Sequence, residues 1–143
     1  MATCLRTGDL SEIAVMKDLM EKGFQVCIPY GHDWRFDLVA YKDGEFLRIQ
    51  VKTALSDSKG NDDRFVIRAF SLDVLTGKTK KYTVDEVDYI AGYHQGTGAI
   101  FYVPISEFED QGEVCIRMNP DDYEKRTQNM KKVRHARDFE EIP

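Results

Sequence analysis

Hydrophobic and polar positions change period along this chain, and the changes mark its elements. Over residues 10–22, Val15, Met16, Leu19 and Met20 fall at helical spacing, which predicts an amphipathic helix with these four as its buried stripe. Asp9 or Ser11 can cap its start, and Gly23 stands where a helix-ending glycine belongs. From residue 24 the period shortens to two. Residues 24–28 read as a short strand stopped by Pro29, and 30–33 as a loop. Residues 37–52 alternate on both sides of Asp43-Gly44, the pattern of a β-hairpin. Residues 53–63 carry loop chemistry. Residues 64–69 alternate again, with Arg64, Val66 and Arg68 on one face. A turn at 76–78 leads into the basic cluster Lys78, Lys80 and Lys81. Residues 88–93 and 99–103 read as paired strands joined by Gly96-Thr97-Gly98, 104–108 as a turn or short helix capped by Ser106, and 114–117 as a short edge strand. A helix followed by strands with small helical inserts predicts an α/β fold with a mixed sheet.

The hairpin gathers polar groups. A type I′ turn at Asp43-Gly44 sets Lys42 against Glu45, and counting outward sets Tyr41 against Phe46, Val39 against Arg48 and Asp37 against Gln50. Opposed residues share a face, with Cβ atoms about 5 Å apart. Lys52 lies two residues beyond Gln50 and so shares that face. The other face, with Leu38, Ala40, Leu47, Ile49 and Val51, is left for packing. One turn thus brings a carboxylate, an amide oxygen and an ammonium together. Cutting a phosphodiester needs charge neutralisation, an activated water and stabilisation of the developing charge. Mg²⁺ prefers oxygen ligands and keeps several waters, so Asp37, the Gln50 amide oxygen and the Val51 backbone carbonyl suffice to hold it. Lys52 can hold a water and a phosphate oxygen together.

Glu12 shares the helix face of Val15, Met16 and Leu19 and can point at the same place. Asp9-x-x-Glu12 is also a capping-box pattern, and the two readings stand side by side here.

Composition narrows the setting. A chain of 143 residues, 42% hydrophobic and 31% charged, suits one soluble domain, taken as residues 1–143. No apolar run reaches membrane-span length and the N-terminus lacks a signal peptide's apolar core, so a cytoplasmic protein without a membrane partner is expected. Cys4, Cys27 and Cys115 form no Cys-x-x-Cys pair, which removes the usual zinc and disulfide frameworks. The net charge of −5 is uneven: residues 123–137 carry six Lys/Arg against Glu124, so this segment is +5 and the remainder −10. A basic segment on an acidic body fits either a polyanion contact or a solvated chain end.

Glu12, Asp37 and Gln50-Val51-Lys52 resemble, in order and spacing, the PD-(D/E)xK nuclease superfamily, with Gln50 in place of the acid and Phe36 in place of the proline. The chain is most similar to the group I intron-associated homing endonucleases that carry Gln-Val-Lys. Further matching strings are Gly8-Asp9-Leu10-Ser11-Glu12, Ile28-Pro29-Tyr30-Gly31, Phe36-Asp37-Leu38-Val39 and Asp85-Glu86-Val87-Asp88-Tyr89-Ile90, and the resemblance covers about residues 8–106. It implies a restriction-endonuclease-like core, a mixed central sheet flanked by helices. It implies a Mg²⁺-dependent DNA endonuclease, with Mn²⁺ as a substitute, that leaves 5′-phosphate ends on double-stranded DNA. It also implies a homo-oligomer, dimer or tetramer, since one site cuts one strand. In that family role Asp37, Gln50 and Val51 bind metal, Lys52 positions the water and Glu12 supports the site. Phosphate contacts are expected from Arg64, Arg68, Lys80, Lys81, Lys131 and Lys132. A Holliday-junction resolvase, a restriction-type nuclease and a non-catalytic DNA-binding module are the alternatives.

Overall fold

The structure is a computed structural model, and it describes residues 4–56, 63–109, 111–118 and 134–143. The chain opens with helix α1 (Cys4–Glu21), which starts earlier than its sequence pattern predicts. Neither Asp9 nor Ser11 caps it. Ser11 lies inside the helix, where its hydroxyl donates to the Thr7 carbonyl one turn back (2.9 Å). The other end is as expected: Phe24 N–H donates to the Leu19 carbonyl (2.9 Å) and Gly23 N–H to the Met20 carbonyl (3.1 Å), a Schellman ending. Val15 and Leu19 are fully buried, but Met20 is 60% exposed. At 100° per residue Met20 lies about 140° round the helix from Val15, outside the stripe. Ser11, one turn before Val15, is buried and extends the stripe towards the start of the helix.

Eleven strands follow among the described residues: β1 (Gln25–Cys27), β2 (Leu38–Lys42), β3 (Glu45–Thr53), β4 (Leu55–Ser56), β5 (Arg64–Arg68), β6 (Phe70–Leu72), β7 (Thr79–Lys81), β8 (Tyr89–Tyr93), β9 (Ile100–Pro104), β10 (Glu113–Arg117) and β11 (Arg134–His135). The central sheet has the order β1-β2-β3-β8-β9. Its β3–β8 pair is parallel and the others antiparallel, so it is mixed. A parallel pair needs a long crossover, usually a helix. Here the crossover carries β4 to β7, because its residues alternate with period two. β4 and β5 join β10 and β11 in a second sheet of order β11-β10-β5-β4, while β6 and β7 pair only with each other. The strand expected at 114–117 is therefore not an edge: β10 is flanked by β5 and β11. Ser106 caps nothing either, since it lies within the 3-10 turn Ile105–Phe108, whose cap position is Pro104.

The central sheet separates two apolar cores. On one face Val15 and Leu19 of α1 pack on Leu38, Ala40, Ile49, Val51, Ala91 and Tyr102. Truncating such a side chain to alanine costs about 2–5 kcal/mol. Tyr102 also donates to Asp18 Oδ2 (2.6 Å), fastening the helix to the sheet. On the other face Ile90, Phe101 and Val103 meet Phe65, Ile67, Val114 and Ile116 of the second sheet. Gly92 permits that approach: a Cβ there would lie 2.4 Å from Ile67 Cδ1. No described helix is long and apolar enough to cross a membrane.

Candidate active site

The hairpin register is the expected one from the turn out to Leu38, but the ladder stops short of the expected Asp37–Gln50 pair. Lys42 pairs with Glu45, Tyr41 with Phe46, Val39 with Arg48 and Leu38 with Ile49, and both turn residues have positive φ (Asp43 52°, Gly44 85°). One step beyond Leu38, Asp37 N–H donates to the Ile49 carbonyl (2.9 Å), and Asp37 Oδ2 accepts the Val51 N–H (3.0 Å). The carboxylate thus takes over the hydrogen bond that β2 would supply if it continued. A strand residue's N–H and C=O point to the same neighbour. The Val51 carbonyl therefore aims towards Asp37, past the end of β2, with the buried Gln50 amide nitrogen 3.5 Å away. Turning the Gln50 amide by half a rotation presents its oxygen there instead.

Lys52 is half-buried on the same face as Gln50. Its ammonium donates to the Phe70 carbonyl (3.2 Å) and lies 5.1 Å from the centre of the Tyr82 ring. Arg35 stands beside it, 4.1 Å from the same ring, with Nε donating to Glu86 (2.8 Å), Nη1 to Ser71 Oγ (2.9 Å) and Nη2 to the Lys81 carbonyl (3.1 Å). Sequence reasoning missed Arg35 and Tyr82. Arg35 could have been found by its alternation with Asp37; Tyr82 carries no local signal.

Glu12 belongs to this group by its electrostatics. The capping-box reading fails, because Asp9 and Glu12 both lie inside α1. Burial, then the charge of Asp37, then that of Asp9, raise the Glu12 carboxyl above its ordinary pKa. Burial likewise raises Asp37, against the opposing pull of the Val51 hydrogen bond and of Lys52. Burial lowers Lys52, the charge of Asp37 partly restores it, and that of Arg35 lowers it further. All three groups are thus biased towards neutrality, with burial the largest cause in each.

The remaining candidates are scattered. Arg64 and Arg68 lie on the outer face of the second sheet, since Phe65 and Ile67 point into the core. Arg64 Nε donates to Cys115 Sγ (2.9 Å), and Arg68 pairs with Glu113 (3.4 Å). The structure does not bring them to Asp37. Lys80 and Lys81 lie on β7, exposed, on the ribbon whose root touches Lys52. Lys131 and Lys132 lie outside the described residues.

Two other places could be mistaken for a site. Ser56 Oγ is 2.8 Å from Nε2 of the buried His94, which suggests a hydrolytic pair. However, His94 Nδ1 accepts the Thr97 N–H (3.2 Å), so in a neutral ring Nε2 carries the proton and cannot take one from Ser56. A groove of about 290 Å³ near the end of α1 is lined by Asp18 and Lys22, which are committed to each other (3.1 Å) and to Tyr102.

A family model for PD-(D/E)XK endonucleases matches residues 3–142, nearly the whole chain. The chain belongs to the PD-(D/E)XK endonuclease family. A solved structure, the bacterial homing endonuclease I-Ssp6803I, superposes with a TM-score of 0.72 at 20% sequence identity, over 96% of this chain and 88% of that one. At that identity the likeness is one of fold. No curated protein matches the chain. PD-(D/E)XK nucleases generally use divalent metal ions. Among the described residues no three His, Cys, Asp or Glu side chains gather into a metal cluster. The donor set at Asp37 fits a hard cation nonetheless: a carboxylate raised by burial, a carbonyl beyond the end of its ladder and a rotatable amide are all oxygen donors.

Proposed function

We propose that this PD-(D/E)XK endonuclease is a Mg²⁺-dependent, site-specific DNA endonuclease of the homing type, active as a homo-oligomer on double-stranded DNA and leaving 5′-phosphate ends. The observation that carries the reading is the Asp37 carboxylate bonded to the Val51 N–H, with Lys52 held on the same face. Asp37, the Val51 carbonyl and the Gln50 amide oxygen would hold the metal. When bound, the ion supplies positive charge to the phosphate and acidifies a water. Lys52 would hold the attacking water and a non-bridging phosphate oxygen together, with the water placed opposite the 3′ oxygen, which leaves as the P–O3′ bond breaks and takes up a proton. Its half-buried position and lowered pKa let its proton move to a neighbouring oxygen more readily than an exposed lysine's would. Glu12 orients a second water from the helix side. The name of the similar structure, a homing endonuclease, supports the site-specific reading. One active site per chain cuts one strand, so a closed symmetric assembly would pair sites across the duplex. Arg64 and Arg68 supply a separate phosphate-contacting face. Replacing both with glutamine weakens DNA binding and flattens its salt dependence; unchanged affinity would remove that face from the interface.

The deciding experiment is cleavage of plasmids carrying tRNA- and rRNA-gene insertion sites, beside a four-way junction, with Mg²⁺ and with chelator. Discrete metal-dependent double-strand cuts, lost in Asp37→Ala and Lys52→Ala, are expected. Cutting confined to the junction would make the protein a resolvase. DNA binding without any cutting would make it a binding module.

A further inference from the structure

The β6–β7 ribbon belongs to neither sheet. Its strands pair with each other, Phe70 with Lys81 and Leu72 with Thr79. Its root is fastened to the candidate site, where the Phe70 carbonyl accepts Lys52 Nζ and Arg35 holds both Ser71 Oγ and the Lys81 carbonyl. Its tip is closed by its own hydrogen bonds: Asp73 N–H to the Lys78 carbonyl (2.8 Å), Gly77 N–H to the Asp73 carbonyl (2.8 Å) and Leu75 N–H to Asp73 Oδ1 (2.9 Å). The ribbon is therefore formed in the free chain, yet it presents what a free chain ordinarily hides. Leu72, Val74 and Leu75 are 61%, 88% and 97% exposed. Its charge is also contrary to the whole. Residues 70–81 carry Lys78, Lys80 and Lys81 against Asp73, a balance of +2 in a chain of −5.

We propose that this ribbon is a duplex-reading arm, with Val74 and Leu75 as specificity-determining contacts to base edges and Lys78, Lys80 and Lys81 on the flanking phosphates. The inference rests on the nuclease reading and extends it to the choice of sequence. A two-stranded ribbon is of a size to enter the major groove, where apolar side chains meet thymine methyl groups. The lysines give the polyanion an electrostatic reason to lie along the arm. The contact of Lys80 with Glu86 (3.7 Å, lysine 69% exposed) is a weak surface pair that a phosphate can displace. Reach is consistent as well. Val74 is four residues on from Phe70, which lies at Lys52, so the tip lies at most about 13 Å away along the chain. That is at most about four base-pair steps at 3.4 Å each, so the tip reads bases within about four pairs of the scissile phosphate. The same lysines disfavour stacking the tip against a second copy of itself.

The test uses the full chain in chelator, with a random-sequence duplex library from which bound sites are selected and sequenced. Three proteins are compared: the wild type, the double variant Val74→Ser with Leu75→Ser, and the triple variant Lys78→Gln, Lys80→Gln and Lys81→Gln. The tip variant is expected to lose base preference at a block of positions within about four pairs of the cut, at least tenfold, with its salt slope kept. The lysine variant is expected to bind every duplex more weakly, with its salt slope reduced by about two to three. Thermal midpoints within two or three degrees of wild type would show that the folds are intact. Unchanged base preference in the tip variant overturns the inference while leaving the nuclease reading standing, provided that the wild type selects and cuts a site. A tip variant whose oligomer mass falls by light scattering overturns it in favour of an interface between copies. A wild type that binds no duplex overturns both.

Discussion

Strand β3 carries an arginine and a lysine at two different places, each beside an aspartate from another segment, and the two pairs behave in opposite ways. Arg48 and Asp88 are matched to one another. The Arg48 backbone N–H donates to Asp88 Oδ2 (2.7 Å), its Nε to the same oxygen (3.1 Å) and its Nη2 to Oδ1 (3.1 Å), while Nη1 reaches the Asp85 carbonyl (2.6 Å). Hydrogen bonding to Asp88 raises Arg48, and although burial opposes the Asp88 charge, the bonds from Arg48 outweigh it and hold that carboxyl below its ordinary pKa. At the far end of the strand, Asp37 and Lys52 spend their hydrogen bonds on the backbone, at Val51 and Phe70, rather than on each other. Burial dominates both, raising Asp37 and lowering Lys52. A pair that satisfies itself stabilises the fold. A pair that does not is held ready for something else, and the fold carries its cost.

Substitutions at the two ends should therefore separate activity from stability. The largest effect is expected for Asp37→Asn, which keeps an acceptor for the Val51 N–H, and for Lys52→Ala, with strand cleavage reduced about 10²–10⁴-fold in a plasmid assay while the thermal midpoint holds or rises. Arg48→Ala should do the reverse. It leaves a partly buried carboxylate with the residue-48 backbone N–H but without the two guanidinium donors, and costs about 2 kcal/mol in chemical unfolding, while the folded fraction keeps its cleavage rate. An Arg48→Ala protein of wild-type stability that fails to cut would abolish the distinction.

Next in size is the metal affinity. Gln50→Glu adds a negative charge to a donor set that has one carboxylate at its centre, and Mg²⁺ binding measured by calorimetry should tighten about tenfold. An unchanged affinity would mean that the Gln50 side chain does not face the ion.

The smallest effect, and the most specific, is the pH dependence of stability in chelator. The Asp37 pKa is higher folded than unfolded, so the folded state binds more protons between the two values and stability falls as pH rises through that window. Asp37→Asn should be more stable than wild type at neutral pH, with the advantage gone below about pH 4, the unfolded aspartate range. Asp88 is lower folded than unfolded, so its contribution is present above the unfolded value and lost as pH falls through the folded one. Asp88→Asn should be less stable at neutral pH, its deficit fading in acid. Thermal melts across pH with parallel slopes for the two variants would contradict the comparison.

The local parts of this site were open to reading because they rest on short-range geometry. Asp43-Gly44 sets the hairpin register, and the register alone brings Asp37 to the end of β3 beside Gln50, Val51 and Lys52. The period-two face of Leu38, Ala40, Ile49 and Val51 marks the side that α1 covers. Where local signals competed, the reading went astray. Asp9 and Ser11 have strong capping chemistry, but helix continued through them. Met20 is apolar, but it lies off the axis of burial that Val15 and Leu19 define.

What the sequence determined by itself, then, is whatever depends on neighbours a few residues apart: the helix and its Gly23 ending, the alternating strands, the hairpin turn and the convergence of Asp37 with Gln50-Val51-Lys52. Tertiary structure decided the rest. It put a second sheet rather than a helix in the crossover from β3 to β8 and drew β10 into that sheet. It carried Arg64 and Arg68 to the outer face, away from Asp37. It set Arg35, Tyr82 and the β6–β7 ribbon around Lys52, and it gave Glu12 the charge of Asp37 to contend with. Those placements depend on contacts between residues far apart in the chain and on burial, which changes the cost of a charge without leaving any mark in the order of the residues.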